Sequence, residues 1–210
     1  MVFLNESAVG PAEERVVLRN VPWQTFEHLL VVLGDRRSVR LAYAGGDLEL
    51  MSPLARHEFA KSFIGRLIET WASARNVPVA GRGSLALRRE DLQRGAEPDE
   101  CYYVQNEQAV RGLPNIDLSR DPPPDLIVEV DITSQSTLRL DIYAALGIPE
   151  VWRFDGQTLA ILRLCNGEYA PDSESLVLPG FPTALILPMV RMAETEGETA
   201  AVRRFLANLS

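Results

Sequence analysis

Asp125-Leu-Ile-Val-Glu-Val-Asp131, entered from Pro122-Pro-Pro124 and left through Ile132-Thr-Ser134, is the stretch that decides the fold. Apolar residues crowd into a short run bounded by prolines on one side and Ser/Thr on the other. That pattern predicts a strand buried on both faces, as in the middle of a sheet covered by helices. Side chains two apart on a strand share a face, so Glu129 and Asp131 project together. An acid placed there is costly unless it is ion-paired or binds a cation.

Elements of alternating type flank this strand. After it, 133–146 reads as a helix stopped by Gly147, and Glu150-Val-Trp-Arg-Phe154 as a further strand. Asp155-Gly156 turns into a strand at 159–164, and Asn166-Gly167 turns into a short last one. The region 184–207 is helical, with an acidic, glycine-bearing interruption at 194–199. Before it, Val21-Pro22-Trp23 opens a helix over 22–33 that Gly34-Asp35 closes. Val39, Leu41 and Tyr43, then Leu48 and Leu50, alternate with polar or small residues around Gly45-Gly46, which predicts a β-hairpin. Ser52-Pro53 starts the main helix, 53–75, whose buried face carries Phe59, Phe63, Ile64, Leu67, Ile68 and Trp71. Strands follow at 84–88 and 99–104, with a polar connection between them and a loop or short helix over 106–124. Strands alternating with helices, and hairpins at both ends, give an α/β (α+β) sandwich with a mixed central sheet. Residues 1–20 read as an extended arm and 21–210 as a single domain.

A chain of 210 residues with 46% hydrophobic and 24% charged residues is a globular protein able to bury a sizeable core. No apolar run has membrane-spanning length, no signal-peptide pattern opens the chain, and the cytoplasm is the expected compartment. Cys101 and Cys165 have neither disulfide nor zinc-ligand spacing and read as buried free thiols. The net charge of −8 argues against a broad basic face for nucleic acid, though not against a local one. Lys61 is the only lysine, so any role that needs one has a single candidate.

Two acid-bearing stretches carry the chemistry: Glu97-Pro98-Asp99 entering one strand and Glu129-Val130-Asp131 ending another. If the strand at 99–104 lies beside the strand at 125–131, Asp99 joins the pair. Two or three carboxylates suit a hard cation such as Mg²⁺, which takes one or two of them plus waters and substrate oxygens. The plainer alternatives stay open: Asp99 as a turn or cap residue, Glu129 as an arginine's buried partner, Asp131 as a helix-entry group.

In combination these motifs resemble a known family. Gly95-Ala-Glu-Pro-Asp99, Pro124-Asp-Leu-Ile-Val-Glu-Val-Asp131, Tyr143-Ala-Ala-Leu-Gly-Ile-Pro-Glu-Val-Trp152 and Met51-Ser52-Pro53 with His57 just beyond are similar to the putative restriction endonuclease family of the PD-(D/E)XK nuclease superfamily. The resemblance runs from about residue 20 to 170. It implies a restriction-endonuclease-like fold, a mixed β-sheet flanked by helices, and an endonuclease hydrolysing phosphodiester bonds of DNA with Mg²⁺ or Mn²⁺. Asp99 and Glu129 would be the metal ligands and Glu58 the acid added from the main helix. Glu58 can equally pair on the helix surface with Lys61, three residues on. His57 reads as a capping or packing residue ahead of a ligand or proton carrier. The resemblance also suggests a homodimer.

One departure bears on catalysis. The superfamily places a lysine two residues after the glutamate, where this chain has Asp131. Relatives often carry it on the next helix, where this chain has Arg139, and Lys61 is the other candidate to assist. Arginine can stabilise phosphate charge but stays protonated and is a poor general base. Arg139 can equally be a solvated helix residue or a partner of Asp131 or Glu129. Arg82, Arg88, Arg89 and Arg94 are the candidate DNA contacts, or else a solvated loop. The alternatives to a nuclease are a degenerate module of the same fold that binds DNA or a protein partner, and a purely structural domain with a buried arginine–glutamate network.

Overall fold

The computed structural model describes residues 14–34, 39–53, 55–132 and 137–209. In chain order these form β1 (Glu14–Leu18), α1 (Trp23–Leu33), β2 (Arg40–Ala44), β3 (Asp47–Ser52), α2 (Ala55–Arg75), β4 (Ala80–Gly81), β5 (Leu87–Arg89), β6 (Arg94–Ala96) and β7 (Glu100–Tyr103). There follow α3 (Glu107–Val110), β8 (Leu126–Val130), α4 (Thr137–Ala145), β9 (Glu150–Phe154), β10 (Leu159–Cys165), β11 (Glu168–Asp172), α5 (Ile186–Glu196) and α6 (Glu198–Ala207).

The expected mixed central sheet is present, and a second, antiparallel sheet accompanies it. β8 is central in a six-stranded sheet of order β11-β10-β9-β8-β7-β4, and the β8–β9 pair is its parallel step. The hairpin of β2 and β3 builds a separate antiparallel sheet of order β1-β3-β2-β6-β5. Two of its strands were not anticipated. β1 lies in the arm and pairs along β3 from Glu14↔Ser52 to Leu18↔Leu48, while the arm's first 13 residues lie outside the described ones. β6 lies within the polar connection and pairs with β2, because glycine and alanine at 95 and 96 leave room for neighbours on both faces. At Gly95 a Cβ would come within 2.6 Å of the Phe26 ring.

Three apolar clusters lock the layers together. Leu126, Val128 and Val130 of β8 meet Phe63, Ile64, Leu67 and Trp71 of α2 and Val190 and Phe205 of α5 and α6. Ile127 points the other way, toward Ile142 and Tyr143 of α4 and Ala42 and Ala96 of the second sheet. Trp23, Phe26 and Leu30 of α1 close the outer face of that sheet over Leu41, Tyr43 and Leu48. α4 is thus held between the two sheets, and side chains entering that layer leave water from both directions. The helical region at the C-terminus breaks at Gly197, whose φ of +92° suits glycine.

Candidate metal centre

Residues 97–99 carry the chain from one sheet to the other. β6 ends at Ala96, the Glu97 amide and Oε2 both bond the backbone of Leu41 in β2, and β7 begins at Glu100. Pro98, which has no N–H to give a ladder, sits at the switch. β7 then runs antiparallel to β8 with Glu100 opposite Val128, so one step back Asp99 stands opposite Glu129. The expected adjacency of the two acid-bearing strands is therefore present.

Asp99 is fully buried. Its Oδ2 accepts the Val130 N–H at 2.8 Å and lies 2.8 Å from His57 Nε2, on the first turn of α2. Its Oδ1 is buried with no hydrogen-bond partner among the described residues. Burial alone would raise the Asp99 carboxyl. The His57 imidazole, the Val130 amide and the charge of Arg139 outweigh it and hold the group below its ordinary range.

Glu129 behaves oppositely. It is 3% exposed, and burial first, with the charges of Asp99 and Asp131 added, pushes its carboxyl up to about 8 against the pull of Arg139 and Tyr143. Its Oε1 accepts from the Tyr143 hydroxyl and from Arg139 Nη1 at 3.4 Å. Arg139, 2% exposed, also donates through Nε to Glu49 Oε1 at 3.1 Å and through Nη1 to the Glu97 carbonyl at 2.7 Å. Burial works against its charge, but Glu129, Tyr143 and Glu49 raise its pKa well beyond the usual guanidinium range. Arg139 is therefore not a solvated helix residue, and of its alternatives the buried partner describes its place. Asp131, 7% exposed, lies 3.9 Å from Arg15 Nη2, and Arg15 Nη1 lies 3.6 Å from Glu49 Oε2.

Glu49, Glu97, Asp99, Glu129 and Asp131 are thus all buried, and the cations recorded against them are the buried His57 and Arg139 and the partly buried Arg15. Even with the imidazole protonated, the acids outnumber the cations among the described residues. Such a site is relieved either by protonating Glu129 or by accepting a cation. No group of three or more His, Cys, Asp or Glu among the described residues is arranged to hold a metal. The fit rests on two acids at opposite register positions of neighbouring strands and one oxygen without a partner among the described residues, and Mg²⁺ or Mn²⁺ needs no more protein ligands when water and substrate oxygens complete its shell.

Other expected site residues lie apart from this pair. Glu58, with a side chain 44% exposed, pairs with Lys61 at 3.3 Å and Arg40 at 3.5 Å, the helix-surface arrangement. Lys61 is also 3.8 Å from Glu100, whose side chain belongs to the α2 side of the sheet. Of the arginines, Arg82 donates to the Val110 carbonyl and Arg94 to that of Gln93, while Arg88 pairs with Glu27 and Arg89 with Asp91. Arg88 and Arg89 border a groove with Trp23, Glu27 and Asn115, whose lining does not include Asp99 or Glu129. Sequence reasoning missed Glu49, Arg15 and the contact from Tyr143, and ranked capping or packing for His57 ahead of a ligand or proton carrier.

A family model described as "Putative restriction endonuclease" (Uma2) matches residues 23–190. A solved structure from Anabaena variabilis, titled a "putative nuclease belonging to DUF820", superposes with a TM-score of 0.53 at 14% identity, covering 87% of this chain and 99% of its own. That likeness is one of fold. No curated protein matches the chain. No helix among the described residues is long and apolar enough to cross a membrane.

Proposed function

This chain belongs to the "Putative restriction endonuclease" family, and from that premise we propose that it is a cytoplasmic, metal-dependent endonuclease hydrolysing phosphodiester bonds of DNA. The observation that carries the proposal is the buried Oδ1 of Asp99, without a hydrogen-bond partner among the described residues, on a residue that the β7–β8 register sets opposite Glu129. Asp99 and Glu129 would hold Mg²⁺ or Mn²⁺. Such an ion, when bound, polarises a phosphoryl oxygen and lowers the pKa of a bound water.

The chain's own residues supply the rest. Arg139 and Tyr143 fix the orientation of Glu129 through Oε1. Arg139 keeps its charge at any working pH, so it balances negative charge at the site and takes no proton. Asp131, in the position of the superfamily's lysine, lies against Arg15 and has no base's part in this scheme. Lys61 is engaged with Glu58 and Glu100 and would assist only by leaving them. Arg88, which is exposed, and Arg89, which is partly exposed, would meet phosphate by exchanging their carboxylate partners. A homodimer would present two such sites to the two strands of a duplex.

A second reading is favoured by the burial of Asp99 and Glu129 and by Arg139 standing beside them. On that reading the fold is a module that binds DNA or a protein partner and no longer hydrolyses. Incubating supercoiled and single-stranded DNA with wild type and Asp99→Asn, with and without Mn²⁺, separates the two. Mn²⁺-dependent nicking lost in the variant supports the nuclease. DNA binding without cleavage supports the module, and equal cleavage by both proteins removes Asp99 from the mechanism.

A further inference from the structure

We infer that His57 is a positioning residue that, with the Val130 amide, takes up one oxygen of Asp99 so that the other is left for a divalent cation. The inference rests on the metal reading above and assigns His57 a role beyond packing.

His57 is fully buried on the first turn of α2, whereas the chain's other histidine, His28, is exposed on α1. The contacts on Asp99 are unequal. Val130 N–H and His57 Nε2 both lie 2.8 Å from Oδ2, and Oδ1 has no hydrogen-bond partner among the described residues. One contact comes from the strand that bears Glu129 and the other from a helix on the opposite face of the sheet. Together they fix the carboxylate plane, because turning the Asp99 side chain would break both. A group present only to stabilise the fold would be expected to satisfy both buried oxygens, since a lone buried acceptor is costly. One oxygen takes the Val130 hydrogen bond and the close approach of the imidazole at ion-pair distance, and the other is spared, which is the pattern of a ligand held by an outer-sphere partner. Loss of such a partner typically weakens metal binding about 10- to 100-fold.

Val130 contributes through its backbone, so His57 is the half of this arrangement that substitution can reach. His57→Gln keeps a donor where Nε2 stands. His57→Leu fills the space without one, and His57→Asn is polar but too short to reach Oδ2. Mn²⁺ titration calorimetry on the full chain, with thermal unfolding of each variant in the presence and absence of Mn²⁺, gives the test. The expected result is about 10- to 100-fold weaker Mn²⁺ binding in the leucine and asparagine variants, with most of the affinity restored by glutamine. A smaller Mn²⁺-induced rise in unfolding temperature should accompany the loss, and the asparagine variant carries the test if the leucine variant does not fold. Wild-type affinity in the leucine or asparagine variant, or glutamine as weak as leucine, overturns the role of His57 and leaves the metal site standing. No Mn²⁺ binding by the wild type overturns both.

Discussion

Replacing Arg139 by methionine removes a cation on which the buried acids depend. The guanidinium donates to Glu49 Oε1 at 3.1 Å, to the Glu97 carbonyl at 2.7 Å and to Glu129 Oε1 at 3.4 Å, and the side chain is 2% exposed. Methionine fills much of the volume but leaves two carboxylates and a carbonyl without their donor. Removing one partner of a buried ion pair costs about 3–5 kcal/mol, because the remaining charge stays in a poorly polarisable interior. Glu129 can escape part of that cost by protonating, since burial has already pushed its carboxyl up to about 8. Glu49 keeps Arg15 at 3.6 Å among the described residues, which offsets part of the cost there. For a domain of this size the loss corresponds to a melting temperature lower by roughly 6–20 °C. Urea unfolding of R139M should show a lower midpoint at unchanged slope. In the double variant R139M/E49M much of the loss should return, because an apolar pair of similar volume replaces a buried ionic one. R139K should fall between, since one ammonium cannot span three acceptors in a fixed fork. A change within about 0.5 kcal/mol for R139M, the range of an ordinary surface substitution, would refute the reasoning.

Four further outcomes follow from separate features. In chelator, Glu129 contributes stability that is fully present below its unfolded pKa and is lost as pH rises toward its folded value of about 8. Urea unfolding between pH 5 and 8 should therefore show wild-type stability falling by at most about 1.4 kcal/mol per pH unit, and E129Q should flatten the slope. The depressed Asp99 acts in the opposite sense, below its usual range and outside that window. Glu150, fully buried, accepts from Trp152 Nε1 at 2.6 Å, Ser175 Oγ at 2.5 Å and the amides of Leu176 and Val177 at 2.6 and 3.1 Å. E150A should cost about 3 kcal/mol and speed amide exchange at 176 and 177, with unchanged exchange counting against it. G95A, whose new Cβ would meet Phe26 ring carbons at 2.6 and 2.7 Å, should lose about 1–3 kcal/mol in thermal unfolding. If Arg88 and Arg89 contact phosphate, each alanine substitution should lower the slope of log affinity against log salt by about 0.9 in a DNA-binding titration, and an unchanged slope removes that arginine from the interface.

What was legible in the sequence was whatever a local pattern specifies. The run at 125–131 marked a central strand, observed at 126–130, and period-2 alternation at 39–43 and 48–50 gave the hairpin observed as β2 and β3. Helical spacing gave α2 within two residues of its observed start, and Gly197 marked the break between α5 and α6. The facing of Asp99 and Glu129 was recoverable because both acids sit at strand ends of adjacent elements. The second sheet was not legible, and its absence misplaced the chemistry around it. Glu49 alternates with Leu48 and Leu50, so its face reads as solvent. It is 2% exposed because α4 and the other sheet cover that face. Arg15 lies in an arm with no strong periodicity and reaches Glu49 only because β1 pairs with β3. The 94–96 strand was hidden by a short Gly-Ala pairing segment, chosen for close approach rather than β propensity. Nothing local in the sequence indicates that Arg139 is buried among acids.

The most direct test is diffraction from crystals of the chain soaked in Mn²⁺, recorded where manganese scatters anomalously. The proposal predicts a peak bound by Asp99 Oδ1 and a Glu129 oxygen, with His57 and the Val130 amide still on Asp99 Oδ2 and the peak absent in Asp99→Asn. An Asp99 carboxylate unchanged and bare of metal at saturating Mn²⁺, or a peak bound elsewhere on the chain, would contradict it.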